Sequence, residues 1–97
     1  MTPVKRLEIV VDAPHSVHVT DVLARHGLTG WSIVRNVTGA GERGHQFGDD
    51  LTGVSSNHMI VTTCAEGELP SLAEDLRRLL DRIGGICLVS DAHWLRV

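Results

Sequence analysis

Gly39-Ala40-Gly41-Glu42-Arg43-Gly44 stands where a strand that begins at Trp31 enters a loop that extends to about Asn57. Glycines in and beyond this stretch, at positions 39, 41, 44, 48 and 53, allow positive φ angles, and successive N–H groups in such turns can form an anion-binding nest. Arg43 adds a guanidinium with a fixed positive charge. We therefore expect this junction to hold the phosphates of a nucleotide. We also expect the loop to become ordered with that ligand and to be recognised by a partner protein.

The same six residues match the dinucleotide-binding pattern G-x-G-x-x-G, but their context does not. That pattern requires a strand and then a helix whose N-terminus receives the pyrophosphate, within a βαβ unit. Residues 45–50 have no helical periodicity and include a further glycine, and a chain of 97 residues is too short for a doubly wound domain. A flexible surface connection without function remains an alternative, although so long a loop in a compact domain is usually functional or disordered.

Length and composition predict one globular domain, residues 1–97, with a modest hydrophobic core. The net charge of −3 and the presence of only three aromatic side chains argue against nucleic acid as a partner, since binding it requires a basic stripe or stacking side chains. No apolar run approaches the length of a membrane span, and no charged-then-apolar leader opens the chain. We therefore expect a cytoplasmic protein without membrane insertion.

Hydrophobic periodicity predicts four strands and two helices in the order βαββαβ. The first helix is predicted to begin at Asp12-Ala13-Pro14 and to end at Gly27, and the second to run from Pro70 to Gly84-Gly85. This order predicts an α+β fold, a ferredoxin-like sandwich with two helices on one face of a four-stranded antiparallel sheet and a flexible loop at about 40–57. The predicted strands are residues 4–11, 30–37, 58–64 and 86–90.

Apolar residues occupy both faces of the first two predicted strands. If the helices cover one face of the sheet, the other face still carries Val4, Val10 and Val34. A lone subunit would expose this hydrophobic surface to water, so we predict an obligate oligomer. Trp31 opens what we expect to be a central strand, and we predict that its side chain lies in the core.

The strand and helix order, the junction at residues 39–45, the long loop and Gly84-Gly85-Ile86 at the start of the last strand together resemble the PII signalling superfamily. The stretch Gly30-Trp31-Ser32-Ile33-Val34-Arg35-Asn36-Val37-Thr38-Gly39 is more closely similar to PII-like proteins associated with carboxysomes and bicarbonate transporters. The similarity covers essentially the whole chain.

This resemblance implies a homotrimer with nucleotide sites in the clefts between subunits, and a flexible loop, the T-loop, that responds to the ligand. Residues 38–44 would then line the phosphates, Ser32 would face the base, and residues 84–86 would form the opposite wall. Arg96 is a weaker candidate for a phosphate contact. The nucleotide-binding residues implied are Ser32, Thr38, Gly39, Gly41, Arg43, Gly44, Gly84, Gly85 and Ile86.

Two departures from the PII pattern refine this expectation. The usual G-D-G-K before the last strand is reduced to Ile83-Gly84-Gly85-Ile86, without aspartate or lysine, so we expect ADP or AMP to be preferred over ATP with magnesium. The chain has no tyrosine, which excludes uridylylation of the T-loop, and 2-oxoglutarate is not expected as an effector.

The closer branch of the family implies bicarbonate as a second ligand, near Gly41, Glu42 and Arg43. A guanidinium can meet a small planar oxyanion with two parallel hydrogen bonds. The resemblance thus implies a regulatory protein, not an enzyme, that reports inorganic carbon and energy status through its loop. Its expected target is a bicarbonate transporter or a carboxysome-related protein, and no prosthetic group or metal is expected.

Two other functions remain open at this point. A trimeric metal-handling protein of the divalent-cation-tolerance type resembles the same fold, and His15 and His18 could share a helix face, although surface histidines without a third ligand are more common. Slow nucleotide hydrolysis at the same cleft is a weaker alternative. Cys64 and Cys87 lie in apolar runs without metal-ligand spacing, and we expect buried, reduced thiols.

Overall fold

A computed structural model of the protein describes residues 1–39 and 56–96. The order of its elements is βαββαβ, as predicted, with a short 3₁₀ turn before each helix. Most of the predicted loop, residues 40–55, lies outside the described ranges. The elements are β1 (Thr2–Asp12), α1 (Ser16–Arg25), β2 (Ser32–Val37), β3 (Asn57–Cys64), α2 (Leu69–Ile83) and β4 (Ile86–Trp94).

The four strands form one antiparallel sheet in the order β2-β3-β1-β4. β1 therefore lies inside the sheet, with β3 on one side and β4 on the other. Ile9 shows the arrangement, since it is paired with Ile60 of β3 and with Cys87 of β4. β2 and β4 are the two edge strands, so the fold is the predicted ferredoxin-like α+β sandwich.

The hydrophobic core lies between the sheet and the two helices. α2 presents leucines at the i, i+4, i+7 and i+8 spacing that places side chains on one helical face. The hydroxyl of Thr62, also buried, donates a hydrogen bond to the carbonyl of Gly30 at 2.7 Å, which satisfies its polar group. The buried apolar residues are Leu7, Ile9, Val11, Val19, Val22, Leu23, Ile60, Cys64, Leu72, Leu76, Leu79 and Leu80.

Three sequence-based predictions need correction. β4 is longer than predicted and runs to Trp94, because the long strand β1 provides pairing partners as far as Thr2. Trp31 is not in the core but 37% exposed, because it precedes an edge strand and not a central one. Cys64 is buried and free as expected, whereas Cys87, also free, is only half-buried.

The face of the sheet away from the helices, which we call the open face, is largely apolar. Directly paired residues on neighbouring strands point to the same face of a sheet. Its most exposed large apolar residues are Val34 at 45%, Ile86 at 62%, Leu88 at 61% and Trp94 at 45%. The indole N–H of Trp94 donates to the hydroxyl of Thr63 at 3.3 Å. The open face comprises Ser32, Val34, Val4, Arg6, Glu8, Val10, Met59, Val61, Thr63, Ile86, Leu88, Ser90, Ala92 and Trp94.

A hydrogen bond joins the two helices. Nε2 of His26, at the end of α1, lies 2.6 Å from Oδ2 of Asp75 on α2. This contact is the main reason why the pKa of Asp75 is lowered from its ordinary value of 3.8. A carboxyl group whose pKa is lower in the folded state stabilises the fold above its unfolded pKa, and that stabilisation is lost as pH falls through the folded pKa.

We expect Asp75→Asn to lower the free energy of unfolding near neutral pH and to lose that effect as pH falls through the lowered pKa of the wild-type Asp75 carboxyl. Urea unfolding of both proteins at several pH values measures the difference. Asp21→Asn is the matched control, because Asp21 is exposed on α1 and forms no ion pair within residues 1–39 and 56–96. An equal difference between wild type and Asp75→Asn at every pH would contradict this assignment.

Within residues 1–39 and 56–96, neither helix has the length and apolar character that crossing a membrane requires.

Candidate functional site

The predicted site residues that the structure describes fall into two sets on opposite edges of the sheet. Ser32, Thr38 and Gly39 belong to β2 and the segment after it, whereas residues 84–86 join α2 to β4. Val34, Met59, Val10 and Ile86 lie side by side along one row across all four strands. Three strand spacings of about 4.8 Å separate the edges, or roughly 14 Å. The two sets therefore do not meet within one subunit.

The first set follows a bulge in β2. The pairing register between β2 and β3 shifts between Val34 and Val37, and Asn36 in the bulge has a positive φ of 59°. Asparagine is one of the few residues other than glycine that adopts this conformation readily. Because a bulge bends its strand, Asn36 sets the direction in which Thr38 and Gly39 leave the sheet. Asn36 is not among the predicted site residues, although an asparagine within a β-branched run is a signal for such a conformation.

Ser32, Thr38 and Gly39 are all exposed. Ser32 lies on the open face, where it is paired with Val61. Among residues 1–39 and 56–96, no atom lies within 4 Å of the position that a Cβ atom would take at Gly39, and the φ of Gly39 is not positive. Gly39 therefore does not use the positive φ that a glycine allows, and the described part of the chain leaves free space beside it.

The second set is a tight turn from α2 into β4. Gly84 has φ 85° and ψ 179°, a conformation nearly restricted to glycine, and its N–H donates to the carbonyl of Leu80 at 2.8 Å. Gly85 has φ 106°, and a Cβ atom there would lie 2.6 Å from the carbonyl oxygen of Val10. Both glycines are thus required by the fold itself. Ile86, which follows them, is exposed on the open face.

A groove of about 330 Å³ between α2 and β4 includes Gly85 and Ile86. Most of its walls are apolar, with Arg77 and Asp81 at the rim. Such a surface offers few donors for phosphate oxygens. The groove is therefore a poor phosphate site in one subunit alone.

The end of the long loop is fixed to the beginning of α1. The N–H of Ala13 donates to the carbonyl of Ser56 at 2.7 Å, and Nδ1 of His58 lies 3.2 Å from the hydroxyl of Ser16. Nδ1 of His15 lies 2.6 Å from Oδ1 of Asp12. These contacts anchor the position where the loop rejoins the sheet at β3.

The structure describes both histidines that suggested a metal, His15 and His18. His15 is hydrogen-bonded to Asp12, and its ring centroid is 5.5 Å from that of His18. Among residues 1–39 and 56–96, no group of three or more His, Cys, Asp or Glu side chains is arranged to hold a metal ion.

The remaining predicted site residues, Gly41, Glu42, Arg43 and Gly44, lie outside the described residues, and their roles stay predictions. Arg96 is described and is exposed just beyond β4. Within the described residues, the predicted site residues therefore lie on two sheet edges, Ser32 and Thr38 on one and the glycine turn on the other.

Comparison with solved structures finds close similarity in fold. CPII from Thiomonas intermedia K12 bound to ADP, AMP and acetate is 30% identical, covers 98% of this chain and 91% of its own, and has a TM-score of 0.82. CPII bound to ADP, AMP and bicarbonate is 28% identical, with 98% of this chain and 96% of that chain covered and a TM-score of 0.80. Its apo form is 26% identical, with 95% and 91% covered and a TM-score of 0.76.

No match is found among the curated proteins. The model of one family, described as Nitrogen regulatory protein P-II, matches residues 4–97. This match covers nearly the whole chain, and it agrees with the βαββαβ order and with the similarity to CPII. The chain belongs to the PII family.

Proposed function

We propose that this protein is a PII-like regulatory protein that binds ADP or AMP together with bicarbonate in the clefts of a homotrimer. The observation that carries the proposal is the similarity, over 98% of this chain, to CPII bound to ADP, AMP and bicarbonate. PII family proteins are regulatory proteins and form trimers. The proposal therefore assigns to this chain the ligands of CPII, which is 28% identical to it.

The separation of the two candidate edges supports a site between subunits. Ser32, Thr38 and Gly39 of one subunit lie on the sheet edge opposite to residues 84–86 of the same subunit. In a closed trimer the β2 edge of one subunit can approach the β4 edge of the next. We propose that the nucleotide lies in this cleft, with its base near Ser32 and its phosphates near residues 38–44.

The small number of charged residues proposed for the cleft favours a nucleotide with few phosphates. Residues 84–86 bring neither lysine nor aspartate to the cleft, so Arg43 is the main cation proposed to face the phosphates. Each additional phosphate would add negative charge without an added partner. We therefore propose that ADP and AMP bind more tightly than ATP.

Bicarbonate is proposed to bind near Gly41, Glu42 and Arg43, at the start of the same loop. If the nucleotide and the anion order one segment, each lowers the entropy cost that the other pays on binding. Such coupling is reciprocal and typically amounts to about 1 to 3 kcal/mol. The ordered loop, residues 40–57, would then report inorganic carbon and energy status to a bicarbonate transporter or a carboxysome-related protein.

We expect bicarbonate to tighten ADP binding by about 5- to 150-fold, the range typical of coupled ligands. Isothermal titration calorimetry of ADP, with and without bicarbonate at constant pH and ionic strength, measures this. Arg43→Ala should weaken ADP binding and abolish the effect of bicarbonate, because it removes the cation shared by the two ligands. Arg25→Ala is the matched control, since Arg25 is exposed on α1 and belongs to neither candidate edge.

Heat from ADP that does not change with bicarbonate would contradict the coupling while leaving nucleotide binding in place. No heat with ADP, AMP or ATP would overturn the proposal as a whole. In that case, titrating the wild type and the His15→Ala variant with divalent cations would test the metal-handling function directly.

A further inference from the structure

Two opposite charges lie in the middle of the apolar open face. Arg6 and Glu8 are two positions apart on β1, so their side chains project from the same side of the sheet, and they form an ion pair. Glu8 is flanked by its cross-strand neighbours Val61 and Leu88. Arg6 is flanked by Thr63 and Ser90 on the same two strands.

Exposed apolar side chains lie close to this ion pair on the open face. Ile86 and Leu88 are more than half exposed in one subunit, and β1 is an inner strand of the sheet. A protein that covers the apolar residues on β3 and β4 must therefore also cover the charges on β1 between them. Because PII proteins form trimers, a second copy of the same chain is the expected occupant of this face.

The Arg6–Glu8 pair can be buried against the same pair of a neighbouring subunit. It has no net charge, so it can be covered without leaving an excess charge in the interface. A guanidinium has five N–H donors in a planar fork, and a carboxylate has two acceptor oxygens. Arg6 can therefore keep its contact with Glu8 of its own subunit and still donate to the Glu8 carboxylate of a neighbour.

We propose that Arg6 and Glu8 pair between subunits and thereby fix how the open faces are aligned in the trimer. This inference rests on the proposed homotrimer and deepens it. An apolar contact alone tolerates sliding, whereas a misaligned interface that covers this pair leaves the remaining Arg6 donors and Glu8 acceptor sites without the partners that the neighbouring subunit would supply. Replacing a buried ion pair by apolar residues is often neutral, but removing one partner is costly, so the pair acts on specificity more than on affinity.

Charge reversal on the two faces of β1 tests the proposal. In Arg6→Glu two carboxylates meet on the open face, and we expect the protein concentration at half-dissociation of the trimer to rise by at least about 100-fold. Lys5→Glu is the matched control, because it makes the same charge change one residue away on the helix side of β1. There Lys5 pairs with Asp91, Nζ to Oδ1 at 2.5 Å. We expect Lys5→Glu to leave the trimer intact.

The swapped variant Arg6→Glu with Glu8→Arg restores opposite charges, and we expect it to recover most of the trimer. Sedimentation velocity over a range of protein concentrations gives the oligomeric state of each variant, and circular dichroism confirms that each is folded. If Arg6→Glu does not fold, Glu8→Gln removes the charge with little change of shape. It should raise the half-dissociation concentration by about tenfold or more.

Three results would overturn the inference. Arg6→Glu could remain trimeric to the same extent as Lys5→Glu, or the swapped variant could be no more trimeric than Arg6→Glu. A monomeric wild type would overturn this inference together with the trimer in the proposed function. The nucleotide part of that function is tested separately by the ADP titration, so the two failures are distinguishable.

Discussion

Gly85→Ala is expected to lower the free energy of unfolding by about 3 kcal/mol or more, whereas Gly27→Ala should cost only about 1 kcal/mol. Both glycines have positive φ angles, 106° and 84°. At Gly85, however, an added Cβ atom would lie 2.6 Å from the carbonyl oxygen of Val10 and 2.9 Å from Cγ1 of Val11. The alanine must therefore push β1 away from the α2–β4 turn, in addition to adopting a strained backbone.

The comparison separates these two costs. In the described part of the chain, no atom lies within 4 Å of the position of a Cβ atom at Gly27, so its substitution reports the backbone conformation alone. Urea unfolding, followed by circular dichroism at one protein concentration, gives both values. Equal losses for the two variants would contradict the close packing of this turn against β1, and with it the position assigned to Ile86 at the edge of the cleft.

The local elements were predictable because each depends on residues close in sequence. The leucines of α2 repeat with a helical period, and Pro70 and Gly84 mark its ends, so its bounds agree with the structure within a residue. The position of each strand in the sheet depends on contacts between distant segments. This is why Trp31 was expected in the core but is exposed: the strand that it precedes is an edge strand.

The candidate site was less predictable for a related reason. Sequence alone treats Gly39 and Gly85 as equally permissive, but only the fold shows that Gly85 needs a positive φ and that Gly39 does not adopt one. The family resemblance implied a cleft between subunits, but only the sheet order shows that the two sets of site residues lie on opposite edges of one sheet. That separation arises from the crossover connections, and it directs attention to the contact between subunits.

Leu23→Ala is expected to lower the free energy of unfolding by about 2 to 5 kcal/mol, the usual range for truncating a buried leucine. Leu23 is fully buried on α1, and its removal leaves a cavity between the helices and the sheet. Val17→Ala is the control on the same helix. Val17 is 54% exposed, so we expect a change of about 0.5 kcal/mol or less, with alanine favoured slightly by helix propensity.

The same two variants also separate stability from ligand binding. Leu23 belongs to neither candidate edge, so the ADP affinity of the folded Leu23→Ala protein should equal that of the wild type when measured well below its unfolding temperature. Calorimetric titration checks this after urea unfolding has given the stability. A loss of ADP affinity in folded Leu23→Ala protein would mean that the helix layer, and not only the sheet edges, determines the geometry of the site, because Leu23 reaches those edges only through the packed core.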